Sequence, residues 1–423
     1  MTYDPVRGMR DILPDEVGWW RLAEEKFREV ARLYNYREIR FPILEATELF
    51  TRGIGESTDV VGKQMYTFPD RKGRSLTLRP EGTASAARAY LTAGLQVKEP
   101  FQKWFYIGPM FRYEKPQKGR SRQFHQYGIE AIGSLDPGLD AEVISLARSL
   151  MERLGLGGLR LRLNSIGCAK DREAYREALK EHFSDRISSM CTDCRRRYRD
   201  NPIRILDCKE EICRPHIESA PKSVDHLCAE CREHLEGVRE RLDLLGLGYE
   251  LDYRLVRGLD YYTRTVFELS SDALGAQDSL IGGGRYDGLI ESLGGPPTPA
   301  IGFAGGMERL VLALQEDGKI RPEGEPLDLF IATLGDEASR AGLKLAEEIR
   351  SAGLSVDLDH RGRSFRKQLN LANRLGASSL LVLGDEELES KEGKLKDLSS
   401  GKEEGVELIS SGIIDRLRRK KGV

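Results

Sequence analysis

Apolar residues recur at helical spacing near the start of the chain and at strand spacing after it. Trp20, Ala23, Phe27 and Val30 share one face of a helix predicted over 16–34, because residues three or four apart lie on the same side of a helix. Strands are then predicted at 37–43, 64–68, 75–78, 102–107 and 123–132, and a helix at 83–93. This order predicts an antiparallel sheet flanked by helices, an α+β architecture.

A helical block interrupts this sheet in the middle of the chain. The pattern predicts helices at 140–154, 170–183 and 233–245, and strands at 159–164, 249–255, 265–269 and 280–282, with a further helix at 307–315. Six of the seven cysteines lie between Cys191 and Cys231, inside this block. We therefore predict an insertion at about residues 170–248 within a first domain of residues 1–325.

The last hundred residues have a different pattern. Residues 317–326 have the composition of a linker, and strands at 327–333, 355–358 and 379–383 alternate with helices at 336–352 and 364–375. Such alternation is typical of α/β domains. Residues 326–423 are therefore predicted to form a small, separate α/β domain.

The overall charge neither indicates nor excludes a nucleic-acid partner. Lys and Arg total 66 against 68 Asp and Glu, a net charge of -2, so nucleic-acid binding would require local basic patches. No apolar run approaches the roughly 20 residues needed to cross a bilayer, and the N-terminus lacks the apolar core of a signal peptide. We expect a cytoplasmic protein without membrane contact.

The segment Arg257–Thr263 places a permanent cation, a glycine and two adjacent tyrosines before a predicted strand. The guanidinium fork of arginine suits both carboxylate and phosphate. The segment thus indicates a site that joins an acyl group to a phosphoryl group. The alternative is a solvated arginine beside two packing aromatic residues, and the segment alone does not decide between them.

A second constellation surrounds the polar loop between Arg112 and Gln123. Strand alternation puts Phe124, Gln126, Gly128 and Glu130 on one face of the returning strand. An arginine for phosphate, a phenylalanine for a base and a Gln/Glu pair for an ammonium or imidazole would suit ATP-dependent activation of a carboxylate. The glycines at 282–284 lack a dinucleotide fingerprint and serve either close approach to a ligand or tight packing.

These segments together resemble a known class of enzymes. The hairpin resembles motif 2 of the class II aminoacyl-tRNA synthetases, residues 300–310 resemble motif 3, and residues 37–45 are similar to motif 1, which lies at a dimer interface in that class. Residues 257–263 and 280–289 resemble the two signature motifs of the histidyl-tRNA synthetase family. The resemblance covers essentially the whole chain. It implies a class II catalytic domain with an insertion, an anticodon-binding α/β domain and a homodimer.

The resemblance also implies an activity, histidine–tRNA ligation, with ATP, L-histidine and tRNA(His) as substrates and Mg²⁺ as the accompanying ion. Catalysis is expected from Arg112 and Arg257. Histidine binding is expected from Glu81, Gly82, Thr83, Gln126, Glu130, Tyr261, Tyr262 and Tyr286, and ATP binding from Arg112, Glu114, Phe124 and Arg309. Contacts with tRNA are expected from Lys115, Gln117 and Arg120 in the hairpin and from Arg361, Arg363 and Arg366 in the second domain.

A paralogous catalytic domain serves as the histidine-sensing regulatory subunit of ATP phosphoribosyltransferase, without aminoacylation activity. Such sensors usually lack the anticodon domain and the intact segment found here at 257–263. Because this chain has both, the resemblance favours the ligase over the sensor.

The cysteine cluster leaves two alternatives open. Cys191-x-x-Cys194 and Cys228-x-x-Cys231 have spacing suited to tetrahedral Zn²⁺, with Cys208 and Cys213 as substitutes for one pair. Alternatively, the thiols are buried, reduced and free of metal. We expect His216, His226 and His234 to be surface residues and not ligands.

Overall fold

The computed structural model describes residues 3–55, 58–117, 119–272, 279–322, 324 and 327–421. The chain divides into two compact units, Met1–Pro322 and Glu323–Val423. The boundary predicted between residues 325 and 326 falls on positions outside the described residues. None of the described helices has both the length and the apolar composition that crossing a bilayer requires.

The strands of the described residues are, in chain order, β1 (Arg37–Glu38), β2 (Leu44–Ala46), β3 (Tyr66–Pro69), β4 (Ser75–Leu78), β5 (Gln102–Phe111), β6 (Gln123–Ile132), β7 (Leu159–Ser165), β8 (Glu250–Leu251), β9 (Thr263–Ser271), β10 (Ser279–Arg285), β11 (Ala300–Gly306), β12 (Leu329–Thr333), β13 (Val356–Leu358), β14 (Ser379–Leu383), β15 (Glu392–Asp397) and β16 (Glu403–Glu407). The α-helices are α1 (Pro14–Leu33), α2 (Thr47–Ile54), α3 (Thr83–Thr92), α4 (Leu95–Lys98), α5 (Pro137–Arg153), α6 (Ala169–Phe183), α7 (Thr192–Asp200), α8 (Arg214–Glu218), α9 (Ala229–Leu244), α10 (Leu289–Ser292), α11 (Met307–Asp317), α12 (Asp336–Ser351), α13 (Phe365–Arg374), α14 (Asp385–Ser390) and α15 (Ser410–Lys421). A π-helical turn at Val60–Gln64 and 3₁₀ turns at Ile187–Ser189, Pro202–Asp207, Glu211–Cys213 and Ser223–His226 complete the helical elements described.

The first unit is built on an eight-stranded sheet in the order β1-β5-β6-β11-β10-β9-β7-β8. Its six inner strands are antiparallel, as predicted, and only the two-residue edge strands β1 and β8 pair in parallel. Side chains alternate between two cores, because Phe105 packs in one cluster and its neighbours Trp104 and Tyr106 in the other. Helices α1, α5 and α11 cover the first face, and α2, α3 and α6 cover the second.

The strand predicted at 37–43 is shorter than expected. It ends after Glu38, and Pro42 has no N–H with which to continue a ladder. The carbonyls of Phe41 and Pro42 instead accept hydrogen bonds from Arg79 Nη1 at 2.6 and 3.2 Å. The buried guanidinium of Arg79 thus replaces the missing strand partner. The three-stranded sheet β2-β4-β3 follows.

The strand predicted at 249–255 is also shortened, to Glu250–Leu251. Asp252 stops it by forming a turn, in which its Oδ1 accepts the backbone N–H of Arg254 at 3.1 Å. Between β7 and β8 the described elements are helical, from α6 to α9. This helical stretch contains the predicted insertion and six of the cysteines.

The second unit contains a five-stranded sheet in the order β13-β12-β14-β15-β16. The strands β13, β12 and β14 are parallel, and β15 and β16 add an antiparallel edge. The pattern did not predict β15, β16 or α15. The two strands are rich in Lys and Glu, and among their residues Gly393, Leu395 and Val406 are buried. So few buried apolar positions give little alternation to detect.

Candidate active site

The sheet face that carries Trp104 and Tyr106 forms part of an open cleft of about 1410 Å³. The predicted site residues that line this cleft are Glu81, Thr83, Arg112, Glu114, Gln117, Arg120, Gln126, Arg257, Tyr261, Tyr262, Tyr286 and Arg309. Residues distant in sequence therefore meet in one place. Glu130 lies behind the lining, where it is 1% exposed.

Glu81 is a buried carboxylate at the start of α3. Its Oε2 accepts the backbone N–H of Thr83 at 2.7 Å, and its Oε1 accepts that of Ala84 at 2.8 Å. These bonds satisfy donors that a helix start leaves unpaired. Burial nevertheless raises the pKa of Glu81 above its ordinary value. The two backbone hydrogen bonds at the start of α3 therefore hold the Glu81 carboxylate in one orientation in the lining of the cleft.

Glu130 sits on β6 within reach of two hydroxyl donors. Thr83 Oγ1 donates to Oε1 at 2.7 Å, and Tyr286 Oη donates to Oε2 at 2.5 Å. Burial raises the pKa of Glu130 to about 8, because the hydroxyl bonds do not offset the loss of water and Glu81 adds negative charge. A cationic group bound beside Glu130 would lower this pKa and so favour the ionised carboxylate.

Gln126 and Tyr106 complete the floor beside these acids. Gln126 Oε1 accepts the backbone N–H of Gly82 at 3.1 Å and the hydroxyl of Tyr106 at 3.4 Å. The ring of Tyr106 fits between two glycines, because a Cβ on Gly82 would lie 2.3 Å from its Cζ and one on Gly128 would lie 2.5 Å from its hydroxyl oxygen. Tyr106 was not predicted as a site residue. The signal available was the pair of glycines, whose partner a sequence does not reveal.

Three tyrosines form the aromatic wall of the cleft. Tyr261 and Tyr262 have ring centroids 4.8 Å apart, and Tyr261 meets Tyr286 edge-on at 5.7 Å. All three are less than one tenth exposed. Since Tyr286 also bonds Glu130, the wall and the buried acid form one continuous surface.

Arg257 is held by Glu268 and faces the glycine strand β10. Arg257 Nη1 donates to Glu268 Oε2 at 2.8 Å, and Arg162 pairs with the other oxygen. A Cβ on Gly282 would lie 1.5 Å from Arg257 Nη2. Gly282 therefore makes room for a guanidinium, whereas Gly283 makes room for the ring of Phe267 and the carbonyl of Gly302. Packing of protein groups accounts for both glycines, and close approach of this strand to a ligand stays a prediction.

Side chains of the insertion support the segment that carries Arg257. Arg204 Nη1 donates to the carbonyl of Gly258 at 2.5 Å, and Asn201 Nδ2 donates to Asp260 Oδ1 at 3.0 Å. Arg172 donates to the carbonyls of Asp260 and Tyr262 at 3.0 and 3.1 Å. The segment thus has no regular ladder at this point but is fixed by three polar side chains.

Arg112 directly follows β5, in the hairpin formed by β5 and β6, whereas Arg257 lies beside β9 and β10. Arg112 Nε donates to the carbonyl of Pro80 at 2.8 Å, and its guanidinium carbon lies 5.3 Å from the ring centroid of Phe124. Glu114 Oε1 is 3.9 Å from Nη1 of Arg112. The guanidinium is therefore held against Phe124 and by the Pro80 carbonyl where Arg112 lines the cleft.

Arg309 lies near the start of α11, where its Nη1 donates to the carbonyl of Ser279 at 2.9 Å. Its neighbour Glu308, absent from the predicted site, accepts the backbone N–H of His125 at 2.8 Å. Glu308 joins α11 to β6 and so ties the two motifs together. Its sequence position gave no signal of that distant partner.

Arg285 and His234 are buried and both contact the carboxylate of Asp140. Arg285 is 0% exposed and donates to Asp140 Oδ2 from Nη2 at 2.6 Å, while His234 Nε2 lies 3.1 Å from Asp140 Oδ1. Burial alone would raise the pKa of Asp140, but His234 and Arg285 hold it below its ordinary value. The prediction that His234 is a surface residue is wrong, because Asp140 provides it with a buried partner. His216 and His226 are half-buried.

The predicted tRNA contacts differ in exposure. Lys115, Gln117 and Arg120 are exposed on the hairpin, whose tip closes where Gln117 and Arg120 exchange backbone hydrogen bonds of 3.1 and 2.8 Å. Arg361 and Arg366 are exposed in the second unit. Arg363, by contrast, donates from Nε to the buried Asp359 at 2.6 Å. Arg363 therefore stabilises the turn before α13.

The thiols group according to the alternative in which Cys208 and Cys213 take the place of one cysteine pair. Cys191 and Cys194 lie with Cys208 and Cys213, whereas Cys228 and Cys231 lie with Cys168 and Asp171. The predicted set of Cys191, Cys194, Cys228 and Cys231 is wrong as a single site, because α6 and α9 hold the second pair apart from the first. All seven cysteines are free thiols.

Comparison with known proteins agrees with this geometry. A family model described as histidyl-tRNA synthetase matches residues 8–310, and one described as an anticodon binding domain matches residues 328–417. A histidine–tRNA ligase of Halothermothrix orenii is 48% identical over 419 residues, which cover 99% of this chain and 100% of that protein. One of Caldanaerobacter subterraneus subsp. tengcongensis is 50% identical over 397 residues, covering 94% and 95%.

A solved structure is similar over the same extent. The apo histidyl-tRNA synthetase of S. aureus superposes with a TM-score of 0.82 at 41% identity, covering 99% of this chain and 100% of that one. The predicted α+β fold with a C-terminal anticodon-binding domain is thereby confirmed. The chain belongs to the histidyl-tRNA synthetase family.

Proposed function

We propose that the chain is a histidine–tRNA ligase that activates L-histidine with ATP, taken up as its Mg²⁺ complex, and transfers the histidyl group to tRNA(His). One observation carries the assignment of the chemistry to this cleft. Two arginines, Arg112 and Arg257, line the same cleft as the buried acid Glu81 and an aromatic wall, and the second acid, Glu130, lies directly behind that wall, bonded to Tyr286. This combination suits the ammonium and imidazole of an amino acid at one end and a phosphate at the other.

The acid end would bind histidine. Its ammonium or imidazole N–H groups would donate to Glu81 and Glu130, and the wall of Tyr261, Tyr262 and Tyr286 would surround the imidazole. Gly82, Thr83 and Gln126 would shape the floor between them. A buried set of hydrogen-bonding groups discriminates strongly, because an analogue without the matching donor leaves the set unpaired.

In the first step, a carboxylate oxygen of histidine attacks the α-phosphorus of ATP. The bond to the bridging oxygen of the β-phosphate breaks, and pyrophosphate leaves with the electron pair. Arg112 and Arg257 would hold the α-phosphate from two sides, while Glu114 and Phe124 hold the adenine end and Arg309 the γ-phosphate. Catalysis is then mainly positioning and charge neutralisation.

In the second step, a ribose hydroxyl at the 3′ end of tRNA attacks the activated carbonyl carbon. AMP leaves, and the hydroxyl proton passes to a phosphate oxygen of the adenylate. Lys115, Gln117 and Arg120 would guide the acceptor end. The insertion adds Lys209, Arg214 and Lys222 to the cleft lining, which supports an approach of the phosphate backbone from that side.

The second unit would bind the anticodon through Arg361 and Arg366.

A homodimer is expected through the segment 37–45, which resembles motif 1. The dimer is supported by an apolar surface on this segment, because Ile43 and Leu44 are each 43% exposed. Sedimentation of wild-type protein against Leu44→Asp would test it, and a monomeric wild type would reject the dimer.

The alternative, a histidine-sensing subunit without aminoacylation activity, is less supported. The chain has the anticodon-binding unit over 328–417 and is 48% identical to a ligase over its whole length. A sensor needs neither the second unit nor two arginines directed at a phosphate.

Histidine-dependent exchange of pyrophosphate with ATP tests the proposal. We expect exchange with L-histidine, none with histidinol, which lacks the attacking carboxylate, and charging of tRNA(His) in a second assay. Histidine binding without exchange would establish the sensor and reject the ligase.

A further inference from the structure

Four thiols of the insertion have the geometry of a tetrahedral metal site. The Sγ atoms of Cys191, Cys194, Cys208 and Cys213 all lie within 4.8 Å of one another. Zinc–thiolate bonds of about 2.3 Å place the sulfurs of a tetrahedron about 3.8 Å apart. Cys191 Sγ and Cys208 Sγ are 3.8 Å apart, far from the roughly 2.05 Å of a disulfide.

The surrounding backbone favours thiolates at this position. The N–H of Cys194 donates to Cys191 Sγ at 3.4 Å, and the N–H of Cys191 donates to Cys213 Sγ at 3.3 Å. Cys191 also precedes the first turn of the nine-residue helix α7, where partial positive charge stabilises an anion. Cys194 and Cys213 are buried, and the other two are half-buried. The set is therefore nearly closed to solvent, as structural sites are.

We propose that Cys191, Cys194, Cys208 and Cys213 bind one structural Zn²⁺ per chain. Four thiolates around a single closed position select a soft, tetrahedral ion over Mg²⁺ or Ca²⁺. The close spacing of the sulfurs suits one ion and leaves no room for a cluster of several irons with bridging sulfides. The two cysteines at 208 and 213 complete the site in place of Cys228 and Cys231.

The second group, Cys168, Asp171, Cys228 and Cys231, differs in one respect. Asp171 Oδ2 accepts the N–H of Cys168 at 3.2 Å, and Oδ1 accepts the N–H of Cys228 at 3.0 Å. Both carboxylate oxygens thus bond the starts of α6 and α9 already. This group provides matched cysteine controls, Cys228 within the insertion and Cys168 just before it.

The metal would hold in place the part of the insertion whose side chains contact the segment 257–263. The ligands Cys191 and Cys208 bracket Asn201 and Arg204, which donate to Asp260 and to the carbonyl of Gly258. Zinc binding would therefore close a loop of the insertion whose interior holds the catalytic segment in place. The proposed role of the metal is to position this segment, with the four thiolates committed to the ion.

Metal analysis of the full-length protein, purified with zinc present, tests the site. We expect about one zinc per chain in the wild type and in Cys168→Ser and Cys228→Ser, and loss of zinc in Cys208→Ser and Cys213→Ser. Less than half an equivalent in the wild type, iron in place of zinc, or zinc lost with Cys228→Ser would overturn the proposal.

A second measurement uses the wild type alone, in case a serine variant fails to fold. Replacement of zinc by Co²⁺ should give the intense visible absorption of a tetrahedral ion and sulfur-to-cobalt charge transfer scaled to four thiolates. Chelation of the metal should release four thiols, which a titration of reactive thiols before and after chelation would count. A cobalt spectrum with two or fewer thiolates, or no change in reactive thiols on chelation, would reject the four-cysteine site.

Discussion

Thr83 Oγ1 donates a hydrogen bond of 2.7 Å to Glu130 Oε1, although 46 residues separate the two in the chain between α3 and β6. Tyr286 donates to the other oxygen of the same carboxyl. Both partners are neutral, and burial raises the pKa of Glu130 to about 8. In the free protein this acid is therefore mostly protonated at pH 7, although the proposed ligand carries a cationic ammonium group.

Histidine affinity is expected to rise with pH because of this acid. A bound cation lowers the pKa of Glu130, so binding releases a proton wherever the free carboxyl is still protonated. Affinity should increase between pH 7 and 8.5 by roughly eightfold, the ratio of the ionised fractions for a pKa of about 8, and should level above it. Equilibrium binding of histidine across that range measures the effect.

Glu130→Gln is the matched control, because it retains the shape and removes the titration. Its affinity should be flat from pH 7 to 8.5 and about 10- to 100-fold weaker at pH 8.5, since a charge-assisted bond is lost. If the variant keeps the slope of the wild type, the titrating group is not Glu130.

Arg257→Ala should slow adenylate formation by a factor of order 10² or more, because preorganised charge at the α-phosphate is lost. Histidine binding should stay within a few-fold of the wild type, as the acid pair is untouched. Pyrophosphate exchange and equilibrium histidine binding separate these effects. Arg153→Ala, which removes an exposed arginine paired with Glu29, serves as the control. An unchanged exchange rate would remove Arg257 from the proposed chemistry.

Arg285→Ala should destabilise the first unit without acting directly on the chemistry. Removing Arg285 leaves the buried Asp140 without its guanidinium partner, a loss of about 3–5 kcal/mol. The three tryptophans, Trp19, Trp20 and Trp104, all belong to the first unit, so urea unfolding followed by tryptophan fluorescence reports on that unit. Arg153→Ala should change the free energy of unfolding by less than about 0.5 kcal/mol. A cost as small as that for Arg285→Ala would contradict a buried structural pair.

Arg361→Ala and Arg366→Ala should weaken tRNA binding while pyrophosphate exchange stays at the wild-type rate. Each lost phosphate contact should reduce the salt dependence of log affinity by about 0.7–0.9. Arg363→Ala should instead lower the stability of the second unit, because its guanidinium is bound to Asp359. Filter binding at several salt concentrations distinguishes the two classes. Equal effects on tRNA binding from all three would show that Arg363 also reaches the tRNA.

Local patterns predicted those parts of the molecule that depend on nearby residues. The alternation of Gln126, Gly128 and Glu130 predicted a shared face correctly, since Tyr127 and Ile129 pack in the opposite core. The inner strands and the long helices have similarly strong periods. Site residues at alternate positions of one strand could therefore be inferred together.

Features that depend on distant partners could not be inferred from pattern. The guanidinium of Arg79 replaces a strand partner for Phe41, 38 residues away. The burial of His234 depends on Asp140, 94 residues away. The thiols show the same limit, because spacing identifies pairs such as Cys191 and Cys194 but not which second pair the fold brings to them.

The close approach of Arg257 to Gly282 has different consequences for selection on folding and for selection on activity. The atom that a Cβ at 282 would meet is the far end of a long side chain, which can swing aside without disturbing the sheet. A population of variants sorted for folding alone would therefore retain alanine at this position. The same population sorted for growth that depends on the enzyme's activity should lose it, because the displaced guanidinium would no longer reach the phosphate proposed to bind there. Tolerance at this position thus depends on whether the assay requires catalysis.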